Sequence, residues 1–132
     1  MQNIIYLSLE QVLLIHEDQI VRYGGSSGLR ILPLLESAIF RPQSSFGGND
    51  LYLTVFDKAA ALMHSIILNH AFVDGNKRTG TTSALVFLEL NSYRLHVSQK
   101  SLEEASVKVE SKKWDIEQIS SWLKNNSRKI RN

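Results

Sequence analysis

The sequence predicts an all-α helical bundle with one short β-hairpin flap or extended segment. Three observations lead there. Apolar residues return at three- and four-residue intervals along much of the chain. Four segments open on a hydroxyl or an acid that is followed three residues later by Gln, Glu or Asp, the pattern of a capping box. Only two Pro and seven Gly interrupt 132 residues. That length suits a single domain able to bury most of its apolar surface, placed over residues 1–126 and followed by a basic tail, 127–132.

After an extended start through Ile4, Ile5 and Tyr6, Ser8 with Gln11 opens a first helix that runs to about Arg22. Tyr23-Gly24-Gly25-Ser26-Ser27-Gly28 ends it; its glycines permit positive φ and close backbone approach, or simply an ordinary loop. Pro33 near the first turn and Pro42 beyond the end frame a short second helix carrying Leu34, Leu35, Ala38 and Ile39. Gln43 to Asp50 is polar, and Leu51-Tyr52-Leu53 follows as a brief extended segment, so this region is either a flap over a cleft or a surface loop.

Thr54 with Asp57 opens a third helix whose stripe of Ala59, Leu62, Met63, Ile66 and Ile67 belongs in the core. The loop Ala71 to Gly75 interrupts, and helical periodicity resumes from Thr79 to Leu90. Tyr93, Leu95 and Val97 alternate as a short extended link. Ser101 with Glu104 caps a fifth helix, and Asp115 with Gln118 a sixth, with Trp114 and Ile119 spaced as a hydrophobic staple. Both Trp114 and Trp122 are assigned to packing. The tail through Arg128, Lys129 and Arg131 is expected to be solvated and frayed.

Composition narrows the function. Apolar residues make up 43% and charged residues 21%, which fits a globular chain rather than a disordered one. A net charge of +2 gives no general attraction for nucleic acid, and none is expected as a partner. The absence of Cys excludes disulfides, thiolate metal sites and a thiol nucleophile. No basic segment precedes a long apolar stretch, and the most apolar run, Ala59 to Leu68, is too short to span a bilayer. A cytoplasmic location without membrane attachment is therefore expected.

Between the two most apolar helices, His70-Ala71-Phe72-Val73-Asp74-Gly75-Asn76-Lys77-Arg78-Thr79 places a base, an acid, an amide, two cations and a hydroxyl in one turn. Gly75 lets the backbone turn tightly, and the first amides of the following helix point into the turn, where they favour an anion. Lys77 and Arg78 add positive charge, so a phosphate chain is the natural guest. Asp74 repels phosphate unless a divalent cation lies between them, and Mg2+ prefers carboxylate, phosphate and water oxygens. An imidazole at position 70 is suited to take a proton from an attacking hydroxyl near neutral pH. Asn76 can orient a phosphate oxygen, while Phe72 and Val73 anchor the loop. Each residue also has a plainer role, as helix cap, turn former or solvated charge; the combination sets catalysis level with those roles. His16, His64 and His96 show no ligand spacing with His70, and His16 and His64 are taken as structural helix residues.

The run His70 to Thr79 resembles the signature of the Fic/Doc family, and Lys77 together with the small size resembles its Doc, or death-on-curing, toxin branch. Tyr23-Gly24-Gly25 after a first helix, Leu34-Leu35-Glu36-Ser37-Ala38 and Arg41-Pro42 extend the resemblance over nearly the whole chain. It implies a helical core with a flap near the active loop. Most members transfer AMP from ATP to a protein hydroxyl, which would make His70 the general base, Asp74 the metal carboxylate, and Asn76, Arg78 and the helix amides the phosphate contacts. The chain departs from the AMP-transferring pattern at Lys77, where that pattern has Gly, and at Thr81, where it has a second Arg.

The Doc branch shares both departures. There ATP is held in the reverse sense, and its γ-phosphate goes to a threonine of translation elongation factor Tu, halting protein synthesis. By resemblance the chain is therefore expected to be a Ser/Thr kinase-like toxin using ATP and Mg2+, with Gly75, Asn76, Lys77, Arg78 and Thr79 around the nucleotide. A Fic-type AMP- or nucleotidyl-transferase and a catalytically silent binding module are the alternatives. The self-inhibitory pattern of the family, Ser or Thr followed four residues later by Glu and then Gly or Asn, fails here because Ser111 follows Glu110. Inhibition by a separate antitoxin is expected instead.

Overall fold

The computed structural model describes residues 3–131. The Ser8 hydroxyl accepts the Gln11 amide and the Gln11 side chain answers the Ser8 amide, which starts α1 (Leu9–Tyr23). Pro33 lies in the first turn of α2 (Leu32–Phe40). A single 3-10 turn, Arg41–Gln43, follows, so Pro42 sits within that turn rather than beyond the end of helical structure. The strands β1 (Ser45–Phe46) and β2 (Asn49–Asp50) pair antiparallel about Gly47 and Gly48, both at positive φ. The expected flap is thus a hairpin, but Leu51 to Leu53 bends away instead of extending it.

Thr54 and Asp57 complete the capping box of α3 (Val55–Asn69), and α4 (Asn76–Leu90) follows after six residues. These two helices share the most extensive contact in the chain. Their closeness depends on Gly80: a Cβ there would stand 2.7 Å from Ile67 Cγ1 and 3.2 Å from the Met63 carbonyl. Around that pair, Leu62, Met63, Ile66, Ile67, Phe87 and Leu88 are buried. The core continues through β3 (Tyr93–Leu95), α5 (Gln99–Glu110), α6 (Ile116–Asn125) and β4 (Ser127–Lys129). Trp114 and Trp122 pack together against it, with ring centroids 5.8 Å apart.

Three boundaries differ from expectation. The fourth helix begins at Asn76, not Thr79, because Gly75 at φ 77° turns the chain directly into it. Ser98, not Ser101, caps α5 by accepting the Ser101 amide. Residues Ser127–Lys129, read as frayed tail, pair with Tyr93–Leu95. The ladder is extended by His96 N to Asn126 O at 2.8 Å and Ile130 N to Ser92 O at 2.9 Å. That pairing is non-local and leaves little trace in the sequence. Among the described residues, no helix is long and apolar enough to cross a membrane.

The base of the hairpin is held by buried polar groups. Lys58, only 2% exposed, donates to Asp50 Oδ2 at 3.1 Å and to the Tyr52 carbonyl. A buried ammonium is tolerated only with such partners. Arg41 donates to Tyr52 Oη at 2.9 Å and Ser65 Oγ at 2.8 Å, and meets His64 Nδ1 at 3.2 Å. Burial, aided by the Arg41 charge, pushes the His64 pKa down, which keeps its ring neutral and able to accept that contact. His64 is structural, as expected.

Candidate active site

The loop between α3 and α4 is fixed before any ligand arrives. His70 ends α3 in the left-handed region, at φ 48° and ψ 47°, so the chain reverses while the imidazole stays exposed. Backbone pairing then pins the loop to the segment before α2. Arg30 N and Ile31 N both donate to Ala71 O, at 2.7 and 3.0 Å, Val73 N donates to Gly28 O at 3.1 Å, and Arg30 Nη2 donates to His70 O at 3.0 Å. Ala71 and Phe72 are buried beneath.

Asp74 is exposed, and its two oxygens do different work. Oδ1 accepts the Gly75 amide at 2.8 Å, while Oδ2 accepts the Ser26 amide at 3.1 Å. Those two amides, with help from the Arg78 and His16 charges, hold the carboxyl below its ordinary pKa, so it is firmly ionised at neutral pH. The glycine-rich loop must come very close for this. At Gly25, φ is 115° and a Cβ would lie 2.7 Å from Asp74 Oδ2.

Beyond Gly75, the first intrahelical bond is Thr79 N to Gly75 O at 2.9 Å, and no side chain caps the helix. The amides of Asn76, Lys77 and Arg78 therefore precede the bonded ladder and carry the positive end of the helix dipole. A cleft of about 500 Å3 lies over them, lined by His70, Asp74, Gly75, Asn76, Lys77 and Arg78, with Glu103 and Glu110 on the α5 wall. Six of the seven sequence-predicted site residues thus meet at one cleft. Thr79 does not: it is fully buried and faces the core, so its side chain is no nucleotide contact.

The roles of several cleft residues are more specific than their types suggested. The Asn76 side chain is committed to the loop, donating to Phe72 O at 3.0 Å and accepting Phe72 N at 3.1 Å. Arg78 donates to Gly24 O at 2.8 Å and lies 5.5 Å from the centre of the Tyr23 ring, which ties the glycine loop to α4. Lys77 pairs with Glu110 at 3.1 Å, both side chains being more than a third exposed. His16 was read as structural, and it is: its ring stacks on Phe72 at 3.7 Å and Nε2 donates to the Asp74 carbonyl at 2.8 Å. Nothing in the spacing of His16 and Asp74 announced that support.

A profile of the Fic/DOC family matches residues 6–88, well over half of the chain. The chain belongs to that family. Among curated proteins it is similar to "Toxin Doc" of Mycolicibacterium smegmatis, at 43% identity over 90 residues, covering 68% of this chain and 67% of the relative. It is also similar to "Protein kinase doc" of Escherichia phage P1, at 31% identity over 90 residues, covering 68% and 71%. The matched residues 6–88 contain both the glycine loop and the His70 loop.

Two outcomes follow from the geometry. Gly25→Ala forces a Cβ against Asp74 and strains a positive φ, at a cost of about 1–3 kcal/mol. It is expected to lower the urea midpoint of unfolding and to weaken any Asp74-dependent metal response together. Glu110→Gln releases Lys77 from an exposed pair of the kind worth about 0–1 kcal/mol. ATP should then bind about two- to fivefold more tightly at low salt, with the gain disappearing as salt screens the charges. Calorimetric titration at two ionic strengths checks this.

Proposed function

We propose that the chain is a Doc-like toxin: a cytoplasmic protein kinase that moves the γ-phosphate of ATP to a threonine of translation elongation factor Tu and so blocks translation. A cognate antitoxin protein restrains it. The single observation that carries this reading is the cleft in which the uncapped α4 amides, the ionised Asp74 carboxylate and the exposed His70 imidazole face one another. The printed names of the two relatives favour the toxin and kinase parts of it.

In this reading the phosphates lie along the amides of Asn76, Lys77 and Arg78, with the Lys77 ammonium beside them. His70 takes the proton of the incoming threonine hydroxyl as its oxygen attacks the γ-phosphorus. The new O–P bond forms as the bond from that phosphorus to the β,γ-bridging oxygen breaks, and ADP leaves. Asn76 and His16 act through the backbone of the loop, holding Phe72 and Asp74 so that base and phosphate keep their spacing.

The site suits Mg2+. Asp74 offers an exposed, ionised carboxylate, and among the described residues no cluster of three acidic or imidazole ligands competes for a metal. That matches an ion which takes most of its ligands from phosphate and water. Asp74 would hold the ion, which would supply positive charge against the phosphate oxygens. Incubating the purified chain with elongation factor Tu, ATP and magnesium, followed by peptide mass spectrometry, tests the reading. A single phosphothreonine is expected. Unmodified factor in the presence of folded, ATP-binding enzyme would rule out this substrate.

A further inference from the structure

The net charge of +2 conceals a segregated distribution. Residues 90–102 and 118–132 contain Arg94, Lys100, Lys124, Arg128, Lys129 and Arg131, and no Asp or Glu. The rest of the chain therefore holds nine of the 15 basic side chains against all 13 acidic ones. Folding gathers the two cationic segments. β3 and β4 pair antiparallel, with Arg94 directly opposite Arg128 and Tyr93 opposite Lys129. At the Asn126–His96 end of this ladder α6 leads in and α5 leads out, with exposed Lys124 in the last turn of the one and exposed Lys100 in the first turn of the other.

The fold does not require this arrangement. Like charges directly opposite across a ladder are destabilising. Arg94 meets Glu89 at 3.7 Å, too far for a hydrogen bond, and Arg128 pairs with no acidic side chain among the described residues. The sheet is held to the core from its other side, by Tyr93 and Leu95.

We propose that the outer face of this two-stranded sheet binds the phosphate backbone of double-stranded RNA. The inference is independent of the reaction proposed above, since no residue of the sheet lines the His70 cleft. Three features select the partner. Guanidinium forks match phosphate oxygens, and fixed cations along a ladder that rises about 3.4 Å per residue can follow a phosphate chain. Protein partners and membranes are gripped through exposed apolar or aromatic anchors, and from residue 91 to 131 the one large side chain of that kind among the described residues is Val107, on α5. The same lack of an exposed aromatic platform disfavours a single strand, whose bases need stacking. Finally, Ser92 and His96 alternate with the core-facing residues of β3 and are exposed beside Arg94, so they add hydrogen-bonding groups between the charges. Such groups suit the ribose 2′-hydroxyl, which DNA lacks.

Fluorescence anisotropy with a labelled RNA duplex of about 16 base pairs, the span read by known duplex-binding domains, and with a DNA duplex of the same sequence tests the proposal. The unmodified chain should bind RNA at least about threefold more tightly than DNA, with an affinity that falls steeply as salt rises. Combining Arg94→Gln with Arg128→Gln should weaken RNA binding at least about tenfold at low salt and reduce the slope of log affinity against log salt by about 2, one for each lost phosphate contact. Its thermal midpoint should equal or exceed that of the unmodified chain, because a repulsion is removed. If that variant fails to unfold cooperatively, Lys124→Gln with Arg131→Gln, outside the paired residues, gives the same reading. Combining Lys112→Gln with Lys113→Gln removes equal charge at the other end of α6, about 15 Å away, and should alter RNA affinity by less than about twofold. Absence of RNA binding by the unmodified chain, equal losses in the sheet and Lys112–Lys113 variants, or DNA bound as tightly as RNA would each overturn the proposal.

Discussion

His70→Ala is expected to lower phosphoryl transfer by about a hundredfold to ten-thousandfold, the range lost with a positioned general base, while ATP still binds within about twofold. The imidazole is exposed and lines the cleft, whereas the backbone carbonyl of His70 is the atom that Arg30 holds. Truncating the side chain therefore leaves the loop anchors in place. The left-handed backbone at φ 48° suits Ala somewhat less well than His, so a loss of folding stability of about 1 kcal/mol or less is expected. Turnover, ATP titration and thermal unfolding of the same preparation check the three parts. Loss of cooperative unfolding in this variant would make His70 a structural residue.

The second large effect is expected at Asp74. Asp74→Asn keeps an oxygen that can accept one of the two loop amides but removes the charge, so fold should survive while activity falls by about a hundredfold or more, the scale of a lost metal contact. Nucleotide binding should also lose most of its dependence on magnesium. An unchanged magnesium titration would contradict the assignment. The pH dependence has a definite sign. Because the folded-state pKa of Asp74 is lowered, its stabilising contribution is complete above the ordinary carboxylate value and is lost as pH falls through the lower folded value. The stability difference between wild type and Asp74→Asn should thus be constant near neutrality and shrink in acid.

Local chemistry made much of this fold legible. Ser8 with Gln11, Thr54 with Asp57 and Asp115 with Gln118 each form the capping box their spacing predicts. The His70 to Arg78 cluster was legible for a related reason: its residues are neighbours in sequence, and a turn between helices can only present them together. What was hidden is long-range. The Ser26 amide reaches Asp74 across 48 positions, His16 reaches its carbonyl across 58, and Glu110 reaches Lys77 across 33. Polar residues at such separations carry no periodic signal, and their pairing is decided by how α1 and α5 pack beside α4.

Within the loop, residue type was also an incomplete guide. Asn76 and Thr79 read equally well as nucleotide contacts, yet the helix direction turns Thr79 into the core and gives the Asn76 amide to Phe72. The register of α4 explains this: Asn76, Thr79, Gly80 and Ser83 follow the three- and four-residue helical spacing and are all buried, which puts Thr79 on the core face. The pairing of Ser127–Lys129 with Tyr93–Leu95 was missed because three-residue strands have no pattern long enough to detect.

Parallel incubations of the purified chain, magnesium and a bacterial lysate with ATP labelled at the γ-phosphate and with ATP labelled at the α-phosphate test most directly that the terminal phosphate is the one presented to His70. Protein-bound label from γ-labelled ATP alone, in one band that disappears with His70→Ala, is the predicted result. Label carried over from α-labelled ATP would mean that AMP is transferred, and would contradict the kinase reading.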